Sequence, residues 1–213
     1  MKGQLQKSKK GNGLAYTNRL VRDLYPYKII LLLVLLGVSS LFAGFCVAFA
    51  LSARPDWLNI KPPLAFVVSS AVVVVSSSSL VLARFAFGND LGKLFRYCLT
   101  TAMIMGVVFL ASQAAGWFQL RQALPAEGSR ISVSWLYLLS GLHLIHVVGG
   151  VVFMTVFTIG SLRKTGHPAT ALVYFTNPVK KLLLELLSIY WHFLGAVWLL
   201  VLLFFLVVGT LVS

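Results

Sequence analysis

The sequence predicts an all-α fold, a polytopic membrane bundle of five transmembrane helices with its N-terminus cytoplasmic and its C-terminus outside. Three observations predict it. Of 213 residues, 59% are hydrophobic and 11% charged, where soluble domains carry roughly 25% charged residues. Five apolar stretches each exceed the ~20 residues that a helix needs to cross a hydrocarbon core. The charges sit in short blocks between those stretches. A net charge of +13 therefore reads as topogenic charge and not as a nucleic-acid surface, which would gather it along one face.

Residues 1–27 read as a basic cytoplasmic tail and 28–213 as the transmembrane domain. The first 13 residues are polar and rich in Gly and Lys, the composition of a tail without fixed structure. Leu20, Val21, Leu24 and Tyr25 then make one apolar face beside Arg19, Arg22 and Lys28, the pattern of a short interfacial helix on anionic headgroups. The first span covers about 29–51. Its apolar core is longer than the roughly 7–15 residues of a signal peptide core, so it reads as a retained helix. The second span, about 62–83, carries Ser69, Ser70 and the run from Ser76 to Ser79 among valines. A polar stripe of that kind in hydrocarbon predicts contact with a neighbouring helix. The third span, about 97–120, lies between Arg96 and Arg121, and the fourth and fifth cover about 133–162 and 182–210. Small residues suggest close approaches at Ser40 with Gly44 and at Gly149 with Gly150. Cys46 and Cys98 fall at different membrane levels, too far apart to pair, and read as packing residues.

Orientation follows from the basic residues. With the N-terminus inside, 14 of the 18 lysines and arginines lie in cytoplasmic segments, leaving Arg54, Lys61, Arg121 and Arg130 outside. The loops are short enough for the positive-inside rule to apply.

Four ionisable side chains lie deep in the spans: His143, His146, Glu185 and His192. Such groups are costly in lipid and normally face the bundle interior with a partner. Counting 1.5 Å per residue, His143 and His192 share a level near mid-membrane, and His146 lies between the levels of His192 and Glu185. His143 and His146 are three apart, Glu185 and His192 seven, so each pair shares a helix face. The connection between the fourth and fifth spans is short, which makes them antiparallel neighbours. The leading expectation is a mutually satisfied His/Glu cluster between them. It would be structural, or would support proton movement, since a buried carboxylate beside imidazoles titrates near neutrality. A metal or haem site is the competing reading. Against it stand the single carboxylate, no cysteine within reach and no second histidine pair. No catalytic residue and no metal ligand is assigned. Tyr190, Trp191, Phe193 and Trp198 crowd the fifth span, with Trp191 and Trp198 in one stripe. Tyr190, Trp191 and Trp198 read as lipid or subunit packing, as do Gly149 and Gly150.

These residues carry a family likeness. Ser140-Gly141-Leu142-His143-Leu144-Ile145-His146-Val147-Val148-Gly149-Gly150 resembles the TGxHGxHVxxG motif in the penultimate helix of cytochrome c oxidase subunit III. Glu185, then Tyr190-Trp191-His192-Phe193 and Val197-Trp198-Leu199, is similar to the E…YWHFVDVVWLFLF motif of its last helix. Gln113-Ala114-Ala115-Gly116-Trp117-Phe118 is similar to the QxxEY/W end of the helix before, and Leu41-Phe42-Ala43-Gly44-Phe45 to the LFFxGFFxAY helix. The likeness covers about 28–210, in the right order. Larger members of the family have seven helices, and this chain resembles their last five, a short form that occurs in bacterial oxidases. Two positions depart from the pattern. The acid that many members carry near the start of the first matched helix falls at Val38, and the Asp after YWHF falls at Gly195.

The resemblance implies a non-redox subunit III of a bacterial haem-copper terminal oxidase, multi-pass in the inner membrane. Haems and copper would sit in partner subunits and none in this chain, which would bind phospholipid and pack on catalytic subunit I. Subunit II and a larger respiratory supercomplex are the wider partners implied. The implied role is support of proton uptake and sustained O2 reduction by a proton-translocating cytochrome-c oxidase complex in aerobic respiration. Two alternatives stay open. One is the same subunit in a quinol oxidase or nitric oxide reductase. The other is a small stand-alone membrane transporter, which would want a polar pore or Gly/Pro-broken helices.

Overall fold

The structure is a computed structural model that describes residues 2–52, 64–122, 130–166 and 168–211. The elements are all helices: α1 (Lys2–Ser52), α2 (Leu64–Gly88), α3 (Gly92–Gln122), α4 (Arg130–Lys164), α5 (Pro168–Phe175) and α6 (Pro178–Leu211). Five are long and apolar enough to cross a membrane, over Pro26–Leu51, Leu64–Gly88, Gly92–Gln119, Ser134–Lys164 and Pro178–Phe204. α3 starts ahead of Lys93 and Arg96 and not after them. A helix need not stop at its first charge, because long basic side chains reach the interface along their own stems.

Two further expectations are corrected. The polar stretch read as an unstructured tail belongs to α1, which is helical from Lys2. No proline precedes Pro26 to break it, and Lys, Gln, Leu and Ala are good helix formers. The expected interfacial helix is part of this same continuous helix. The connection between α4 and α6, read as a plain short loop, contains α5.

The helix ends have identifiable stops. After α2 the chain turns through Asp90 in the left-handed region, φ 56°, and the Leu91 amide donates back to the Ala86 carbonyl at 2.9 Å. That is the six-to-one bond of a Schellman closure, and it folds α3 straight back on α2. α6 starts with Pro178 behind Asn177, whose Oδ1 accepts from the amides of Val179 (2.9 Å) and Lys180 (3.4 Å). This is a side-chain N-cap with proline at the first helical position, where its missing N–H costs nothing.

α2 and α3 form the tightest pair, α6 packs on α1, α2 and α4, and α4 packs on α3. Of the five spans α6 is the most buried and α1 the least. The main core joins α2, α3, α4 and α6 around Leu80, Phe95, Phe109, Val147, Met154, Leu187 and Trp191. A smaller one seats Val38 and Phe42 of α1 against Leu139 of α4 and Val197 and Val201 of α6. Outer faces remain apolar, as at Leu36, Ile145, Val156 and Leu200, which suits lipid or a partner subunit and not water.

Contacts fix which ends lie together. Lys28 at the start of the first span meets Glu185 near the start of α6. Tyr174 of α5 touches Phe87 and Phe95, at the end of α2 and the start of α3, and Ser161 near the end of α4. All five spans therefore turn at a common basic end, which carries Lys28, Arg84, Lys93, Arg96, Arg163, Lys164, Lys180 and Lys181.

Candidate functional site

The four titratable residues singled out above lie on α4 and α6, which pack side by side. Helical spacing turns His143 to the interior. It is 1% exposed, with its ring stacked on Trp198 at 5.6 Å between centroids and 27° between planes. Phe42 and Phe109 meet it edge-on at 6.2 and 6.3 Å. Both ring nitrogens are buried with no hydrogen-bond partner among the described residues. A narrow seam beside it, lined by Val73, Val147, Trp191 and Leu194, has no room for a water molecule.

The other three residues do not complete a shared cluster. His146 is half-buried, and its Nδ1 lies 2.8 Å from the Leu142 carbonyl of its own helix. His192 does the same, with Nδ1 2.6 Å from the Ser188 carbonyl and 3.4 Å from the Ser188 hydroxyl. Glu185 pairs with Lys28 of α1, Oε1 to Nζ 3.0 Å. The expected mutually satisfied His/Glu cluster is therefore replaced by four separate arrangements. The reason is local: a carbonyl four residues back is always within reach of a helical side chain, whereas Glu185 and His192 lie about 10 Å apart along α6. The donors do not converge, and among the described residues no group of three His, Cys, Asp or Glu could hold a metal ion.

What joins α4 to α6 is a band of packing and single hydrogen bonds. The Tyr190 hydroxyl donates to the His146 carbonyl at 3.1 Å. Gly150 lets α6 approach: a Cβ there would lie 3.1–3.4 Å from Leu194, Tyr190 and Trp191. Gly149 beside it faces open space, as does Gly44, and Ser40 bonds back to Leu36. Among the described residues, none of these three small residues mediates a helix contact. Trp191 and Trp198 are buried, at 1% and 2% exposure. Trp198 donates its indole N–H to Ser70 of α2 at 3.2 Å.

The serine stripe on α2 does join helices. Ser76 donates to the Ala102 carbonyl of α3 at 2.9 Å, and Ser69 accepts from Gln113 at 2.9 Å. Ser78 and Ser79 bond back to α2 itself. The two positions that depart from the family pattern are also explained. Val38 is buried in the α1 core. A Cβ at Gly195 would lie 3.3 Å from the Val73 side chain of α2, so a larger side chain there would crowd that contact.

Sequence reasoning missed Lys28 as the partner of Glu185. The available signal was that a lone acid near a membrane surface needs a cation at its own level, and Lys28 is one. It also missed the contacts of Phe42 and Phe109 with His143, which depend on how each helix is rotated about its axis.

Comparison with known proteins fits this architecture. No protein-family model matches the chain. It is 31% identical over 171 residues to a probable cytochrome c oxidase subunit 3 of Nocardia farcinica, covering 77% of each chain. It is 28% identical over 183 residues to the cytochrome c oxidase subunit 3 of Synechocystis sp., covering 83% of this chain and 72% of the relative. With the protein of that name from Corynebacterium diphtheriae it shares 27% over 143 residues, 66% of this chain and 63% of the relative.

Proposed function

The chain belongs to the cytochrome c oxidase subunit 3 family, and on that premise we propose that it is the non-redox third subunit of a bacterial haem-copper terminal oxidase. In this reading it packs on the catalytic subunit I in the inner membrane, N-terminus inside. It holds phospholipid and helps to sustain O2 reduction and proton uptake. Haems and copper belong to the partner subunits.

One observation carries the reading of this chain as a supporting subunit. His143 is held by ring contacts and His146 and His192 by carbonyls of their own helices, and among the described residues they do not gather into a ligand set. Collecting the basic residues at one end supports the orientation, because that end suits the cytoplasmic side. The exposed apolar flanks of α1 and α4 offer area for lipid and a partner subunit. The Lys28–Glu185 pair lies at this basic end, the side from which protons would be taken up.

Purifying the tagged chain in mild detergent and analysing what accompanies it by mass spectrometry and absorption spectroscopy tests this reading. The expected result is an oxidase core with haem absorbance and oxidase turnover, alone or within a respiratory supercomplex. A chain that purifies by itself, from cells that contain the oxidase, would overturn it.

A further inference from the structure

We propose that the groove between the basic ends of α2 and α6 binds the phosphate headgroup of an anionic phospholipid. The site depends on the reading above that the chain holds phospholipid, and gives that lipid a place and a charge.

The groove measures about 360 Å³ and opens between Arg84 of α2 and Lys181 of α6, with Val81 and Phe85 on its wall. Among the described residues neither basic side chain has an ion pair or a side-chain hydrogen bond, and both are exposed. One carboxylate, Glu185, lines the groove, and Lys28 already neutralises it at 3.0 Å. Two cations thus converge on a space with no free counter-charge. A guanidinium suits two phosphate oxygens at once, and an ammonium adds a point charge beside it. Val81 and Phe85 are each more than half exposed, and Val81 lies nearly one turn from Arg84 towards the membrane interior, where an acyl chain would run. Basic pockets between transmembrane helices on the cytoplasmic side suit anionic headgroups in this way. Scattered surface lysines would attract such lipids without preferring one position.

The Lys28–Glu185 pair gives the site a specific dependence. Removing Lys28 leaves a free carboxylate in the groove, which repels phosphate. Removing Glu185 as well abolishes that repulsion.

The test uses the purified complex that contains this chain, with lipid bound per complex counted by native mass spectrometry. It is titrated with palmitoyl-oleoyl phosphatidylglycerol and, separately, with the phosphatidylcholine of the same chains. Phosphatidylglycerol is expected to bind more tightly. Arg84→Gln and Lys181→Gln should each weaken it about fivefold and the double variant roughly thirtyfold, as for loss of one and two interfacial cations. Lys93→Gln, at the same membrane end but outside the groove, should leave binding unchanged. Lys28→Ala should weaken it, and Lys28→Ala with Glu185→Gln should restore it. Equal losses in Arg84→Gln, Lys181→Gln and Lys93→Gln would reduce the site to diffuse surface charge and overturn it. Displacement of the lipid by millimolar inorganic phosphate would overturn the lipid as occupant. If neither phospholipid binds the complex at all, the broader reading that the chain holds phospholipid fails, a result distinct from failure of this groove.

Discussion

The imidazole of His143 is stacked on the indole of Trp198, and it is held there by ring contacts, with both nitrogens unbonded among the described residues. A buried polar group without a partner costs about 1–3 kcal/mol. His143 is thus held by the shape of its ring, and its unbonded nitrogens work against stability.

Substitution separates the two contributions. His143→Leu, close in volume and without an unbonded nitrogen, is expected to stay within about 1.5 kcal/mol of the parent. His143→Ala should lose roughly 2–4 kcal/mol by opening a cavity under Trp198. Thermal unfolding of the detergent-purified complex measures both. Equal losses would mean that the imidazole nitrogens have a partner after all.

Gly116 tests the packing of α3 on α2. A Cβ there would run into the Phe66 ring, which is itself buried against Trp198. Gly116→Ala should cost about 1–3 kcal/mol by overpacking. Gly149→Ala and Gly44→Ala, which meet nothing within 4 Å, should be neutral or slightly stabilising in the isolated chain. A complex that loses stability only with one of these two would locate a partner-subunit contact at that position.

Asp90 sits where an L side chain is strained. Asp90→Gly should stabilise the α2–α3 turn by up to about 1 kcal/mol, and Asp90→Val should destabilise it by more. Protease cleavage between α2 and α3 should slow in the first variant and quicken in the second. The reverse order would show that the Asp90 side chain, and not its backbone angle, holds the turn.

Burial raises the Tyr174 phenol above its usual range, while its bond to Ser161 works the other way. A phenol with a raised pKa in the folded chain contributes its full stability below the unfolded value of about 10, and loses it as pH rises through the folded one. Tyr174→Phe should cost about 1 kcal/mol at neutral pH. The gap should narrow above about pH 10. Parallel pH profiles for the two chains would argue against this.

Under the proposed function, Glu185→Gln should leave the initial oxidase rate within about twofold of the parent, while activity decays faster over many turnovers. Oxygen-electrode traces carried through repeated substrate additions read this directly. Identical decay curves would confine Glu185 to packing and to its pair with Lys28.

The spans were legible in the sequence because bilayer thickness sets their length and the surrounding charges mark their limits. The serine stripe of α2 was legible for a related reason: in hydrocarbon a hydroxyl bonds either its own helix or a neighbour, and Ser69 and Ser76 do the latter. Partner choice was not. Spacing put Glu185 and His192 on one face, but which residue each met depended on helix rotation and on the competing carbonyl one turn back. The roles of Gly150 and Gly149 could not be told apart in sequence, since only the approach of α6 distinguishes them.

α1 makes its main contacts with α4 and α6, so of these five spans the one made earliest waits for two made later. Until α6 arrives, Phe42 and Val38 have half their seat, and Lys28 has no carboxylate to meet. The bundle is thus closed by α1 meeting α6. A nascent chain halted after α3 would hold α2 and α3 together while α1 drifted unattached in lipid, which would give a quality-control protease an early and specific mark of incomplete synthesis.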